Sequence, residues 1–222
     1  MTRAEQKRLC SAIKGHDQET VQRMLEKKPD LINDVVRQPP RSDDGKSLLQ
    51  IAIHSGATDI AEYLLDQGAD VNFMEAETSV SGWRMPVIQD ALSLAIMRTR
   101  WCAVDMHGVP AVQHTKEESD AAYLLLKRMI AMGAELNAVD SKGNTTMERA
   151  VSQAAQIMPV YDSNTRQYTR KRVITDALKA DLSRIFSLLF EQGLTSTIPM
   201  RTSTLTVQAF YADHPLGAFL TR

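Results

Sequence analysis

Two cysteines in 222 residues, Cys10 and Cys102, are too few for a disulfide framework. They read as free thiols in a reducing compartment, each packed as a small hydrophobe. No stretch approaches the roughly 18 unbroken apolar residues that suggest a membrane-crossing helix. The opening MTRAEQKRLCSAI is charged, has a helical period through Leu9 and Ile13, and lacks the apolar core of a secretion signal. Cytoplasmic residence is the default expectation. An excess of one charge sign is also missing: 26 Lys and Arg against 27 Asp and Glu leave a net charge of -1. That balance argues against a protein whose task is to coat a polyanion, although a local basic patch stays open. Only ten glycines and 43% apolar residues describe a chain of one or two ordinary domains without wholesale disorder.

Signatures of chemistry are missing too. The five histidines stand at 16, 54, 107, 114 and 214, and none belongs to a His-x-x-x-His pair or a cysteine-spaced zinc site. His107 and His114 share one stretch with Asp105 and Cys102, in a spacing that fits no recognised metal arrangement. Asp44-Gly45-Lys46-Ser47 looks like the end of a phosphate-binding loop. The glycine that opens such a loop is missing, with Pro40 and Arg41 around its place. A β-turn at Asp44-Gly45 followed by a helix cap at Ser47 accounts for all four residues. No Gly-x-Ser-x-Gly elbow occurs. The sequence offers no catalytic group, cofactor site or metal site, and reads as a non-enzyme.

What is present is a repeating grammar. Gly68-Ala69-Asp70-Val71-Asn72 recurs as Gly133-Ala134-Glu135-Leu136-Asn137, and in worn form as Gly193-Leu194-Thr195. An apolar helix precedes each, at 60–65, 123–130 and 185–190, and 21–33 repeats the pattern with Pro29 in place of the glycine. Glycine after a last helical turn takes positive φ cheaply, and proline stops a helix because it lacks the N–H. An earlier helix in each unit is expected at 4–13, 47–54, 91–97 and 145–154. Ala52, Ala95 and Ala150 each follow Leu49, Leu92 or Met147 by three residues, a small residue allowing close layers beside a large one filling the core. Ser47, Asp90 and Thr145 are the expected caps of these helices.

The stretch 44–72 resembles one complete ankyrin repeat: glycine turn, short helix with Leu and Ala inward, second glycine turn, helix with Leu64-Leu65, and a closing Gly-Ala-Asp-x-Asn. His16, after Gly15, falls where ankyrin units often place a Gly-His pair. The resemblance implies an all-α ankyrin-repeat solenoid of about four helix pairs with β-hairpin or loop insertions. It divides the chain into a repeat domain at 1–195 (repeats near 1–40, 41–72, 73–137 and 138–195) and a C-terminal cap or tail at 196–222. Leu49 to Leu92 is 43 residues and Leu92 to Met147 is 55, against a family period of about 33. Insertions at 73–89, 98–119 and 153–177 absorb the excess, the last of them either separating the two helices of the fourth repeat or simply lengthening them. The first, with Ser81-Gly82 beside Trp83 and Arg84, is expected to be an elongated β-finger. The tail carries Leu205, Val207, Phe210 and Tyr211 and is either a folded-back cover or, given Pro215 and Gly217, a disordered end.

Such a solenoid implies a protein partner, no membrane, and no chemistry of its own. Its binding face is expected at the turn tips 41–46, 75–86 and 140–144. The candidate partner-binding residues are Asp43 and Asp44 on the first tip, and Trp83 and Arg84 on the finger. Arg98, Arg100 and Trp101 lie at a helix end, and Tyr161, Tyr168 and Arg170 in the third insertion. Trp83 is either an anchor of its own finger or a hot spot. Alternating basic and aromatic residues at 161–172 suit an acidic protein or a nucleic acid, and the near-neutral net charge weakens the nucleic-acid reading. By size and architecture, one concrete form is a bacterial inhibitor or immunity protein that blocks a toxin or effector. The alternatives are an effector that engages host proteins through its repeats, and an enzyme with its site in the insertions.

Overall fold

The structure, a computed structural model, describes residues 3–37, 41–78, 82–105, 107–109, 114–159, 161–162, 167–168 and 172–221. Nine helices are formed among them: α1 Arg3–Lys14, α2 Gln18–Lys27, α3 Leu48–Ser55, α4 Thr58–Asp66, α5 Val87–Arg98, α6 Lys116–Ala131, α7 Thr146–Ala155, α8 Asp176–Glu191 and the short α9 Val207–Phe210. Most begin where the chain supplies a side-chain acceptor for an orphan N–H. Ser47 with Gln50, Thr115 with Glu118 and Thr145 with Glu148 form complete capping boxes, and Asp17, Thr175 and Thr206 cap singly. Each such cap contributes about 1 kcal/mol.

The first eight helices make roughly four pairs. The inner helices stack α1 on α3, α3 on α5 and α5 on α7, while outward α2 meets α4 and α4 meets α6. Leu9, Ile13, Leu48, Leu49, Ile51, Ile53, Ile88, Leu92 and Ile96 are fully buried in this stack, and the small Ala52, Ala91 and Ala150 are buried with them. Gly68, Gly133 and Gly193 close α4, α6 and α8 at φ of 85, 91 and 87, so the worn third echo has the geometry of the clear one. At the end of α1 the left-handed position is taken by His16 (φ 56), whose Nε2 lies 3.2 Å from the Ser55 carbonyl oxygen. Asparagines tie one unit to the next. The Asn33 amide donates to Gly68 O (3.1 Å) and its carbonyl accepts from Asp70 N (2.9 Å). Asn72 does the same with Gly133 O (3.1 Å) and Glu135 N (2.8 Å).

Asp90 is not a cap. α5 starts one turn earlier, after Pro86, whose φ of -70 leads directly into Val87 and Ile88. Counted from the N-caps Ser47, Pro86 and Thr145, the residues equivalent to Leu49, Gln50 and Ala52 are therefore Ile88, Gln89 and Ala91. The expected register of Leu92 and Ala95 was four residues late. Asp90 lies buried inside the helix and accepts from Gln50 Nε2 and His54 Nε2, both at 2.8 Å.

The expected β-hairpin insertions are overturned. Among the described residues of 73–89 there is no strand; a single bridge, Met74 to Pro86, closes the excursion. Its backbone bonds are divided: Glu75 N donates to Met85 O, whereas Ala76 N donates to Gly45 O of the preceding turn. Among the described residues the pairing extends no further than this bridge, so no two-stranded ladder forms there. Ser81 lies outside the described residues. Among the described residues strand pairing is confined to two residues on each side, Tyr161–Asp162 with Gln167–Tyr168, too short to count as a finger. The fold is an all-α, helix-rich solenoid with irregular excursions.

The second excursion turns through a 3₁₀ segment at Thr99–Cys102 that packs against α5, α6 and α8. It is held by a polar layer. Trp101 Nε1 donates to the buried Asp181 carboxylate (2.7 Å), Ser119 Oγ donates to the same oxygen (3.2 Å), and Arg184 and Lys116 stand 3.2 and 3.8 Å from its other oxygen. After α8 the chain repeats an opening seen before: a bridge from Pro199 to the cap Thr206 matches those from Val35 to Ser47 and from Met74 to Pro86. α9 then starts like another inner helix but ends after four residues. A 3₁₀ turn at Pro215–Phe219 folds back on α7 and α8 with Leu216 and Leu220 buried, so this part of the tail packs over them.

Candidate protein-binding surface

The turns that precede the inner helices lie side by side and are stitched together. Gly45 O accepts from Ala76 N (2.8 Å), joining the first tip to the second. A Cβ on Gly45 would stand 2.6 Å from Ala76 O, so the contact requires glycine there, at φ 86. Arg84 O accepts from Ser141 N and Arg84 N donates to Ser141 Oγ, both at 2.9 Å, joining the second tip to the third. Arg201 Nε donates to Asn144 Oδ1 (3.2 Å) and its N–H to Glu148 Oε1 (2.8 Å), adding a fourth tip contributed by the tail.

Behind this edge run further polar links. Lys46 Nζ donates to Ser42 O (2.7 Å) and to His54 Nδ1 (3.0 Å), which leaves His54 Nε2–H to donate to Asp90. The lysine of the phosphate-loop look-alike is therefore used structurally, as is Ser47. Glu75 accepts from Met85 N, and burial pushes its carboxyl above the usual range.

At the third tip, Asp140 is the hub. It is 3% exposed and accepts four hydrogen bonds: Lys142 N (2.8 Å) and Asn144 N (2.9 Å) on one oxygen, Asn144 Nδ2 (2.7 Å) and Trp83 Nε1 (2.7 Å) on the other. Burial alone would raise its pKa; the bonds from Asn144, Trp83 and Lys142 outweigh it and hold the carboxyl below the usual range. Trp83, 37% exposed, has its indole N–H anchored there while Lys142 Nζ and the Arg149 guanidinium lie 5.0 and 5.4 Å from the ring centre. The ring is both an anchor and an exposed surface.

Beside Trp83 opens a groove of about 460 Å³, walled by Lys142, Arg149, Arg201, Phe210 and Tyr211. Sequence reading did not single out Lys142, Arg149 or Arg201. The Ser-Lys-Gly-Asn tip at 141–144 was the available signal for Lys142. Nothing in the linear sequence ties Arg201 to Trp83.

The other candidates are dispersed. Asp43 is turned into the fold against Lys14 Nζ (2.5 Å), and Asp44 is half-buried on the first tip. Arg98, Arg100 and Trp101 stand at the far end of α5, about 18 Å along a helix of 12 residues from the tips. Arg98 bonds His114 Nδ1 (2.6 Å) and Glu118 Oε1 (3.1 Å); burial first, and the Arg98 charge second, press the His114 pKa down. Arg100 is half-buried beside it. The backbones of Tyr161 and Tyr168 are paired in register in the two-residue strand pair, and Arg170 lies outside the described residues. The structure thus joins Asp44, Trp83 and Arg84 on one edge and leaves Arg98, Arg100 and Trp101 apart from them.

The residues that suggested a metal are occupied locally. Asp105 accepts from His107 N and Val109 N, His114 meets Arg98, and Cys102 Sγ donates to Thr99 O. Among the described residues no group of three His, Cys, Asp or Glu side chains is placed to hold an ion. No helix among them is long and apolar enough to cross a membrane.

Residues 4–75 match the family model described as ankyrin repeats (3 copies), a stretch running from α1 to Glu75. No curated protein matches the chain. Over those residues the chain is similar to ankyrin repeats, a scaffold whose generic role is protein–protein interaction.

Proposed function

We propose that this chain grips one dedicated partner protein along its row of turn tips, with Trp83 and Arg84 at the centre of the contact. The observation that carries the reading is the stitching of the tips by Gly45–Ala76, Arg84–Ser141 and Arg201–Asn144, which preorders an edge before any partner arrives. Preorganisation of this kind lowers the entropy cost of association. An aromatic residue held at one end and exposed at the other has the make-up of an interface hot spot. The finer reading is of an inhibitor or immunity protein that occludes a toxin or effector enzyme in the cytoplasm. Its support is a short solenoid with excursions beyond what repeat packing requires.

The test reverses two tip charges, Asp44→Lys with Arg84→Glu, in the full chain. A partner captured in stoichiometric amount from native lysate by the parent protein is expected to bind the variant at least about tenfold more weakly, equivalent to about 1.4 kcal/mol, at nearly unchanged melting temperature. Equal affinity would remove the tips from the contact.

A further inference from the structure

The groove between Trp83 and the C-terminal cover has an imbalance that the fold does not use. Its two carboxylates are already engaged by N–H and O–H donors. Asp140 accepts four bonds, and Glu148 accepts from Thr145 N (2.7 Å), Thr145 Oγ1 (3.0 Å) and Arg201 N (2.8 Å). Both are buried, so neither presents a free oxygen to the groove. Its three cations have the opposite standing. Among the described residues no carboxylate oxygen lies within 4 Å of the Lys142, Arg149 or Arg201 side-chain nitrogens. Arg149 is held by Ser93 Oγ (3.0 Å) and the Trp83 ring, and Arg201 by Asn144 Oδ1 (3.2 Å). These contacts orient the guanidinium groups, and the Asp90 and Asp140 charges attract Arg149 through space without bonding it. Next to them Phe210, 53% exposed, stands edge-on to Tyr211 with ring centres 5.0 Å apart.

We propose that this groove receives an acidic segment of the partner protein, its carboxylates on Lys142, Arg149 and Arg201 and an apolar side chain against Phe210. The inference rests on the interaction reading above and supplies the chemistry of the contact. Arginine held in a fixed orientation suits bidentate capture of a carboxylate, and a half-enclosed groove weakens screening of the pair. A protein segment fits better than a nucleic acid. Three cations release few counterions, and the chain as a whole carries -1, so a polyanion gains little beyond this one spot. The tail is then more than a cover, because Arg201 and Phe210 form one wall of the site.

The experiment is calorimetric titration of the full chain with a short synthetic peptide of alternating Glu and Phe, beside its Gln and Phe counterpart and a single-stranded oligonucleotide. Expected are binding of the Glu peptide that weakens as salt rises, no comparable binding of the Gln peptide, and at least about a tenfold loss in Lys142→Glu with Arg201→Glu. Thermal melts should show that variant folded, since both side chains are exposed and the bonds made by their backbone N–H groups remain. Absence of binding at millimolar peptide, unchanged affinity in the double variant, or tighter binding of the oligonucleotide each overturn the inference. A chain that ignores the Glu peptide yet still captures one protein from lysate through its tips loses this inference and keeps the interaction reading.

Discussion

Asp140→Ala removes the acceptor around which the third tip is wrapped. Four donors lose their partner at once: two backbone N–H groups, the Asn144 amide and the Trp83 indole. A hydrogen bond to a charged group contributes about 1.5–3 kcal/mol where it stays dry. Here Lys142 and Trp83 are exposed, so water recovers part of the loss. The expected cost is about 3 kcal/mol, in the upper part of what single substitutions do. Its pH dependence has a definite sign. The folded-state pKa is depressed, so the stabilisation is present above the unfolded value of about 3.9 and fades as pH falls through the folded one. Urea denaturation of parent and variant should therefore differ by the full amount at neutral pH, and the difference should begin to shrink as pH falls below about 4. A neutral-pH difference under about 0.5 kcal/mol, or one that persists unchanged into acid, would refute the assignment of Asp140 as the charged hub.

Leu65→Ala should cost about 2–4 kcal/mol in the same assay, because Leu65 is buried on the inward face of α4; a loss below about 0.5 kcal/mol would mean that the side chain does not fill the core. Gly45→Ala should lower stability by about 1–3 kcal/mol, since it combines φ of 86 with a Cβ pressed onto Ala76 O. A neutral melt would mean that the first two tips do not touch.

The repeat grammar was readable because it is local. Capping by Ser47 and Thr145, the left-handed glycines after α4 and α6, and the inward Leu64 and Leu65 depend on neighbours within a turn or two, and each stands where the residues place it. The register of α5 was misread because Asp90 imitates a cap. A local signal cannot show that Pro86 has already started the helix, nor that Gln50 and His54, some forty residues away, claim the carboxylate. The β-finger failed because the turn residues at 73–89 do not by themselves extend pairing: among the described residues only the Met74–Pro86 bridge forms there, and Ala76 N turns to Gly45 O of the preceding tip.

The sequence by itself determined the helix-pair architecture, the ends of most helices and the presence of Trp83 and Arg84 on an excursion, because capping, glycine geometry and apolar periodicity act over a few residues. Only the tertiary structure decided which excursions meet. Trp83 reaches Asp140 across 57 positions, and Arg201 reaches Asn144 across another 57. The cationic groove exists only where the tail folds back against the third tip, and contacts at that sequence distance are set by how the layers stack rather than by any local preference of the chain.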